Sequence, residues 1–511
     1  MARTLRMQLL QRAARQCAEA SDARQSPILR RAVLQAGAGI ALSAVLPATG
    51  LAATARIAIV GAGLAGLTAA YRLQTAGYSP DLFEASTRLG GRCYTGRDVF
   101  AGGQIAEHGG EFIDSGHKAI RAVAAELGLM LDDVLVATPA KTEPRYIIGG
   151  KPYSLADATR DMRPFYPALQ VQSKSLGSYS YRGAGTAARR FDAMTIAAWV
   201  AAYVPGGRDG QFGQLIETAF AEENAADADR QSALNVIPVL ANDPRDHFNL
   251  YYTDSDQRFH VRGGNDQIPA RLGERLGARI RTAMPLAAIA RLPDGRIRLS
   301  FRNGTGMEEA VYDRVILALP FSVLHEAVDC TQAGFRALKK KAIATLPMGT
   351  SVKFQLQFNR RAWTEAGCNG EIRVPTRLFQ TTWEVTRAQP GQPGILNFFS
   401  GGTRALNAGG LSAAELAKQV LRDAEPALPG LTEQWNGRMM KDAWRENPWS
   451  LGSYCYFPPG YQTSIAGIEA EREGNCFFAG EHTSDQPGYL NSGVETGFRA
   501  AREVIASLRR A

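Results

Sequence analysis

The 511-residue chain has little cysteine: six residues of this type, five of them scattered after residue 55. Neither a CxxC pair nor a Cys/His cluster with ligand spacing occurs, so the sequence predicts no metal centre and no disulfide framework. The six histidines are scattered as well, and no His/Asp or Ser/His arrangement indicates a catalytic base or a nucleophile. Internal repeats are also lacking.

A strong charge excess is lacking over most of the chain. The formal net charge of +9 comes from 58 Lys and Arg against 49 Asp and Glu. Residues 1–55 hold seven Arg, no Lys and two acids, a net +5, which leaves about +4 for the rest. Charge alone therefore excludes reading the whole protein as a nucleic-acid or membrane-surface binder. A hydrophobic fraction of 45% excludes a disordered chain.

The first 55 residues have the order of an export signal. Arg30-Arg31 precedes an uncharged apolar run that ends in small residues at 53–55. Glycines and a proline dilute the run, and its strongly apolar part is too short to span a membrane. We therefore expect a twin-arginine signal peptide over residues 1–55, a periplasmic or extracellular location and no stable membrane insertion.

A dinucleotide-binding motif follows this segment. The apolar run 56–60 predicts a buried parallel strand, and the turn from Gly61 through Gly63 to Gly66 leads into a predicted helix. The first glycine allows a tight turn, the second lets a pyrophosphate approach, and the third lets helix and strand pack closely. A second predicted strand, 79–83, ends at Glu84, whose carboxylate can accept ribose hydroxyls. This favours FAD or NAD over NADP.

Several later segments resemble the flavin-containing amine oxidase superfamily, in the family's order. They are Thr87–Arg92, which resembles an Arg-x-Gly-Gly-Arg signature, and residues 106–114, 261–264, 315–320, 477–483 and 488–497. The resemblance spans residues 56–511 and implies FAD. In covalent monoamine oxidases a Cys just before a cleft tyrosine carries the flavin. Ser453 has that place here, so we expect noncovalent FAD.

The resemblance implies a fold and a set of FAD-binding residues. The fold is α/β, with a Rossmann-type FAD-binding domain over 56–135, 258–335 and 440–511. An interleaved α+β substrate-binding domain takes 136–257 and 336–439. The residues expected to bind FAD are Gly61, Gly63, Gly66, Glu84, Ala85, Arg88, Gly91, Arg92, Gly480, Glu481 and Gly488.

A coarse reading of periodicity agrees with this fold. Helical spacing predicts helices within 118–130 and 191–230, and a helix from Gly488 onward. Strands are predicted over most of 258–320, with hairpin breaks at 293–295 and 303–304, and again over 350–400.

Three residues are the catalytic candidates. Lys353 alternates with apolar residues in a predicted strand, where an ammonium is costly to bury. It resembles the family lysine that holds a water beneath flavin N5. A surface lysine on an edge strand is the other interpretation. Tyr489 and Tyr454 resemble the two aromatics that confine an amine beside the flavin, and core packing remains an alternative for Tyr454.

Four residues are the substrate-binding candidates. L-Amino-acid oxidases of the family often hold the substrate carboxylate with an Arg near the place where this chain has Phe112. We expect Asp114 and Glu111 to receive a cationic group, with a helix cap at Ser115 as the alternative role for Asp114. Trp383 is predicted to form a pocket wall, and Tyr489 to contact the substrate.

The whole chain looks most like exported bacterial L-amino-acid oxidases. The resemblance implies hydride transfer from an L-amino acid to flavin N5, with a preference for basic amino acids or a broad specificity. The products would be a 2-oxo acid, ammonia and, with molecular oxygen, hydrogen peroxide. A monoamine or polyamine oxidase is the first alternative, a flavin desaturase or an amino-acid monooxygenase the next. A flavoprotein that only binds or senses is the last. We expect no nucleic-acid partner and no metal, and a homodimer is left open.

Overall fold

The computed structural model describes residues 10, 12–17, 55–241 and 256–509. At its centre lies a sheet of five parallel strands drawn from three distant stretches of the chain. From one edge to the other these strands are Cys476–Phe478, Arg314–Leu317, Ile57–Val60, Asp81–Phe83 and Ile280–Arg281. The α/β class that the sequence predicts is confirmed.

The parallel sheet is covered on both faces, and alternate side chains of the strand Ile57–Val60 point into the two covering layers. Ile57 and Ile59 belong to a core shared with helices, whereas Ala58 and Val60 belong to a core shared with a second layer of strands. The helices are Leu64–Thr75, Lys118–Glu126, Gln267–Leu276 and Leu490–Leu508. The strands on the other face are Leu286–Arg291, Ile297–Asn303 and Gly306–Tyr312, joined by both of the predicted hairpins.

A four-stranded antiparallel sheet, hereafter the second sheet, lies beside this body. Its strands in spatial order are Thr381–Glu384, Gly394–Gly401, Ser351–Phe358 and Trp435–Ala443. Val352, Phe354 and Leu356 pack in one core with the helices Thr403–Gly409 and Ala413–Ala424. The intervening residues, Lys353 and Gln355 among them, therefore lie on the opposite face of the sheet.

A layer of helices and a small sheet complete the fold. The helices are Leu155–Met162, Tyr166–Leu176, Thr186–Asp192, Ile196–Tyr203, Gln211–Asn224 and Ile237–Ala241, with the strands Glu143–Ile148, Lys151–Pro152 and Cys368–Arg373. The helical stretch predicted over 191–230 is thus interrupted. Pro205-Gly206-Gly207 cannot continue a helix and separates two of these helices.

Short elements connect these layers. The strands are Thr95–Gly96, Ala106–Glu107, Leu131–Asp133 and Phe259–Val261, and the helices are Phe321–Ala327, Ala337–Thr345, Ala362–Glu365 and Leu431–Gln434. Single 3-10 turns occur at Ala101–Gly103, Ala233–Asn235, Gly277–Arg279, Trp444–Glu446 and Glu481–Thr483. In the described ranges, no helix combines the length and apolar character that a membrane crossing requires.

Part of the N-terminal segment is packed against the fold, although the sequence predicts only an export signal there. Residues 10 and 12–17 are helical, and Leu10, Ala13, Ala14 and Cys17 are buried in the core of the helical layer. These four positions follow the i, i+3, i+4, i+7 spacing of an amphipathic helix, a signal already present in the sequence. Arg30-Arg31 and the apolar run lie outside the described residues. Export and the domain boundaries stay predictions.

Two helices of the parallel-sheet body, Leu64–Thr75 and Leu490–Leu508, approach each other closely at Gly497. A Cβ at this position would lie 2.4 Å from the Ala65 carbonyl oxygen and 2.9 Å from the Thr68 Cβ. We expect Gly497→Ala to lower the free energy of unfolding by about 1–3 kcal/mol, because overpacking forces the helices apart. Arg502→Ala, at an exposed position of the same helix, should change it by less than about 0.5 kcal/mol. Equal denaturation midpoints for the two variants would contradict the close approach.

Candidate active site

One cleft collects most of the residues that the sequence singles out. It encloses about 1380 Å³, including its open mouth, between the parallel sheet and the face of the second sheet that carries Lys353. Predicted residues that line it are Gly61, Gly63, Glu84, Ala85, Arg88, Gly91, Arg92, Gly480, Glu481, Gly488, Lys353, Tyr454 and Tyr489. The fold therefore brings together positions separated by more than 400 residues.

The glycine turn at the end of the first strand shapes one end of the cleft. Gly61 adopts φ +100°, and a Cβ there would lie 2.7 Å from the Ala318 carbonyl oxygen. A Cβ on Gly66 would lie 1.9 Å from the Gly61 carbonyl oxygen, so this residue packs the turn against the helix. Gly63 caps the helix Leu64–Thr75, and a Cβ there would meet nothing within 4 Å. The helix N-terminus therefore faces open space, as an anionic phosphate group requires.

Glu84 is fixed by hydrogen bonds on both carboxylate oxygens. Its Oε2 accepts from the backbone N–H of Ala62 at 2.8 Å, and its Oε1 accepts from the N–H and hydroxyl of Ser86, each at 2.8 Å. Both lone pairs of Oε1 are therefore engaged, whereas Oε2 keeps one further lone pair. Because Glu84 lines the cleft, Oε2 can accept a hydroxyl group from a ligand there.

An ion pair joins two predicted motifs at the other end of the cleft. Arg92 Nη1 lies 3.0 Å from Glu481 Oε1 and donates to the Ser453 carbonyl oxygen at 2.5 Å. Glu481 Oε2 accepts from the Gly488 N–H at 2.8 Å. This chain of contacts ties the Gly-Gly-Arg motif to the C-terminal motif across 389 residues of sequence.

Lys353 is buried, and its ammonium has a protein acceptor for each of its three N–H groups. Nζ donates to the carbonyl oxygens of Glu107 at 2.7 Å and Gly109 at 3.1 Å, and to Glu111 Oε2 at 2.8 Å. The inward position agrees with the strand alternation that the sequence shows. The resemblance assigns this lysine a water as hydrogen-bond partner, but here backbone and carboxylate oxygens use its donors.

The predicted substrate acids are both engaged with protein groups. The second oxygen of Glu111 accepts from the Trp383 indole N–H at 3.0 Å. Asp114 Oδ1 accepts from the Gln257 N–H at 2.8 Å, and Oδ2 lies 3.3 Å from His117 Nε2. Their role as receivers of a cationic substrate group stays a prediction.

Aromatic rings surround the inner end of the cleft. Tyr454 and Tyr489 line it together with Phe399. The Tyr454 hydroxyl donates to the Glu222 carbonyl oxygen at 3.2 Å, and the Tyr489 ring meets His117 edge to face at 4.7 Å. Trp383 stands behind Phe399, with ring centroids 5.6 Å apart. The arrangement can confine a small substrate and exclude water from it.

Glu107 has a structural role that no sequence pattern indicates. Its buried carboxylate accepts from the Thr95 hydroxyl at 2.9 Å, the Asn265 N–H at 2.9 Å and the His260 ring at 2.8 Å. Burial alone would lower the pKa of His260, but the hydrogen bond and negative charge of Glu107 outweigh it and raise that pKa. Glu107 thus anchors the loop whose carbonyl oxygens hold Lys353. No local sequence pattern pairs residues this far apart.

Cysteine in the cleft is inert. Ser453 occupies the place of the flavin-linking cysteine and donates its hydroxyl to the Gly349 carbonyl oxygen at 2.9 Å. Cys93 lines the cleft, and its thiol lies 3.4 Å from the Asn265 carbonyl oxygen. Burial raises the pKa of the Cys93 thiol well above its usual range, which disfavours the reactive thiolate.

Comparisons with known proteins agree with this geometry. The family model for flavin containing amine oxidoreductases matches residues 64–505. The flavin-dependent L-tryptophan oxidase RebO of Lentzea aerocolonigenes is 26% identical, covering 88% of this chain and 98% of its own. The L-amino-acid oxidase of Mus musculus is 26% identical over 87% of this chain and 70% of its own. The solved structure of cyclohexylamine oxidase from Brevibacterium oxydans IH-35A superposes with a TM-score of 0.76 at 20% identity, covering 89% and 99% of the two chains.

The cofactor of this protein is FAD, and the cleft fits it. The open space before Gly63 suits the pyrophosphate, and a Cβ at that position would project into it. Glu84 can accept a ribose hydroxyl at Oε2, and Arg88, Arg92 and Gly91 continue the lining toward Lys353. These residues would hold the cofactor along the length of the cleft.

Glu84→Gln tests the ribose contact. The variant removes the charge from a carboxylate that holds two backbone N–H groups, and a hydrogen bond to a charged group contributes about 1.5–3 kcal/mol. We expect the dissociation constant for FAD to rise about 10- to 100-fold, measured by flavin fluorescence on reconstituting the apoprotein. Glu274→Gln, whose side chain is 62% exposed, is the matched control. Identical FAD affinities in the two variants would contradict the assignment of Glu84.

Proposed function

The chain belongs to the flavin-containing amine oxidoreductase family, and on that premise we propose that it oxidises an L-amino acid to a 2-oxo acid, ammonia and hydrogen peroxide. Bound FAD supplies the hydride acceptor and the reaction with molecular oxygen. The residues of the chain bind the substrate, orient its amine-bearing carbon toward the cleft and exclude water. The FAD is held noncovalently in this proposal, and the protein is exported by the twin-arginine route.

A buried pair of arginines supports an amino acid over a plain amine. Arg387 is 8% exposed, and its guanidinium lies 5.7 Å from the ring centroid of Phe112. Glu371 lies 3.5 Å from Arg387 and 3.9 Å from Arg373, so one carboxylate serves both cations. A substrate carboxylate would supply the second negative charge, whereas an amine would leave the excess cation uncompensated.

Phe112 connects this cation to the aromatic end of the cleft. Its ring centroid lies 6.2 Å from that of Trp383, which in turn bonds Glu111 beside Lys353. Arg387 thus lies behind the place where the resemblance expects a carboxylate-binding arginine. We propose that Arg387 takes over that task from the next layer of side chains. Preference for basic or varied side chains rests on Asp114 and Glu111 and belongs to the same proposal.

Reduction of the bound flavin tests the substrate class. Holoenzyme is mixed anaerobically with L-Arg, L-Lys, L-Phe and L-Glu, and separately with the corresponding decarboxylated amines. We expect at least one amino acid to bleach the flavin while its matched amine does not, and peroxide to form once oxygen is readmitted.

The variant Arg387→Met refines this test. Loss of this buried positive charge behind Phe112 should raise KM for the amino acid about tenfold, with little effect on reduction by an amine. Bleaching by amines alone would show an amine oxidase instead. Release of an amide without peroxide would show a monooxygenase.

Lys353→Met tests the oxidase part of the proposal. A preorganised buried charge at a reacting group contributes a factor of about 100 or more. We expect the rate constant for reoxidation by oxygen to fall by about that factor, and reduction by substrate to fall far less. Both half-reactions are followed by stopped-flow absorbance. Lys441→Met is the matched control, because Lys441 lies in the same sheet and donates to the carbonyl oxygens of Gly409 and Leu411. Equal reoxidation rates in all three proteins would refute the role of Lys353.

A further inference from the structure

We propose that Glu371 is a specificity-determining residue of the cleft. By cancelling one of two buried arginine charges, its carboxylate restricts the site to amino acids that have a single carboxylate, and acidic amino acids such as L-Glu and L-Asp are excluded. The inference rests on the amino-acid oxidation proposed above and adds to it the side-chain charge that the site rejects.

Glu371 and Arg373 lie on the same face of the strand Cys368–Arg373. Ile372, between them, packs into the core that the second sheet shares with its helices, so alternation turns its two neighbours to the opposite face. Arg387 completes the group, which is hereafter called the arginine cluster. Glu371, Arg373 and Arg387 are 2%, 0% and 8% exposed. The cluster is therefore screened little by ions of the solvent.

The arginine cluster contains two cations and one acid. Glu371 Oε1 lies 3.5 Å from Arg387 and Oε2 lies 3.9 Å from Arg373, so one carboxylate is divided between both guanidinium groups. The other contacts of these two guanidinium groups are with uncharged groups, namely the rings of Tyr146 and Phe112, the Thr138 hydroxyl and the Glu384 backbone carbonyl. Within the described ranges, the cluster therefore keeps a net charge of +1.

Two further buried acids beside the cluster have cations of their own. Glu384 Oε1 lies 2.5 Å from Arg361 Nε, and Glu111 Oε2 lies 2.8 Å from Lys353 Nζ. These two pairs add no net charge. The excess charge of the arginine cluster is therefore the one that a substrate carboxylate can compensate.

The cluster acts on the cleft through its electric field. The Arg387 guanidinium lies 5.7 Å from the ring centroid of Phe112, which lies 6.2 Å from that of Trp383. One aromatic ring thus separates the cluster from the aromatic end of the cleft. In a protein interior, a unit charge about 10 Å away changes the binding constant of a second charge about tenfold.

The charge count selects substrates by their own charge. The α-carboxylate of an amino acid cancels the excess charge of the cluster, which leaves no counter-charge for a second carboxylate. A side-chain carboxylate in the same cleft would lose its hydration without gaining a partner, and such a charge is costly to bury. Glu371 thus takes the place of the second acid. Without its charge, the cluster would have +2 and could balance both carboxylates of L-Glu.

L-Gln and L-Glu test this selection, because they have nearly the same shape and differ by one charge. Anaerobic stopped-flow reduction of the holoenzyme gives the ratio of reduction rate constant to dissociation constant for each. We expect the parent to prefer L-Gln at least about tenfold, and Glu371→Gln to lower that preference about tenfold. Glu365→Gln, whose side chain is 58% exposed, is the matched control and should keep the preference of the parent.

The variant Arg373→Met separates charge from shape. It brings the cluster to zero net charge, so L-Gln should bind about tenfold more weakly. The double variant Glu371→Gln/Arg373→Met returns the cluster to +1 and should restore the affinity for L-Gln and the preference over L-Glu. A purely structural role predicts the opposite, a double variant at least as impaired as either single variant. This comparison decides the matter even if Glu371→Gln alone does not fold.

Binding without turnover keeps this test separate from the proposed function. Glutaramate and glutarate lack the amine that is oxidised and differ by the same single charge, and their dissociation constants follow from the flavin difference spectrum of the holoenzyme. The preference for glutaramate should fall about tenfold in Glu371→Gln and return in the double variant.

Three results would overturn the inference: no preference for the singly charged ligand in the parent, an unchanged preference in Glu371→Gln, or no spectral change with either ligand in any of the proteins. If the two ligands bind in the expected order but no amino acid reduces the flavin, the proposed function fails and the charge selection by Glu371 stands.

Discussion

A buried ammonium needs an acceptor for each N–H and a counter-charge, and the arrangement of the cleft follows from meeting both needs at Lys353. Two of its acceptors are backbone carbonyls of the loop 107–109, so this loop must lie against the second sheet. The loop is itself anchored by the Glu107 carboxylate, which bonds Thr95, His260 and Asn265. Lys353 thus joins the second sheet to this loop, and Glu107 joins the loop to Thr95 and to the segment 260–265.

Close backbone approach sets the opposite end of the cleft. A Cβ on Gly61 would clash with the Ala318 carbonyl oxygen at 2.7 Å, and a Cβ on Gly66 would lie closer still to the Gly61 carbonyl oxygen, at 1.9 Å. The helix N-terminus therefore meets the ends of two neighbouring parallel strands, which is where ligands bind in such sheets. The pyrophosphate end of the cleft therefore depends on glycines, which have no side chain to block the close approach. The end at Lys353 depends on a buried ammonium whose three N–H groups all have acceptors.

Local patterns in the sequence predicted local structure well. The Gly61–Gly66 turn, Glu84 at the end of the second strand, both hairpins and the inward face of Lys353 all depend on neighbours a few residues away. The helix break near Pro205 and the apolar helix face from Leu10 to Cys17 could also be predicted from the sequence, because each follows from simple helix rules. Side-chain contacts between distant parts of the chain could not be predicted in this way. Glu107 with His260, and Trp383 with Glu111, join residues 153 and 272 positions apart. No spacing rule reaches that far, because tertiary packing decides such contacts.

The central functional claim is oxidative deamination of an L-amino acid, and the stoichiometry of aerobic turnover tests it most directly. Oxygen uptake, 2-oxo acid, ammonia and hydrogen peroxide are measured in one closed vessel with the amino acid that best reduces the flavin, without catalase. We expect equal initial rates for all four, because peroxide that accumulates later decarboxylates the 2-oxo acid. An aldehyde in place of the 2-oxo acid, or oxygen uptake without peroxide, would contradict it.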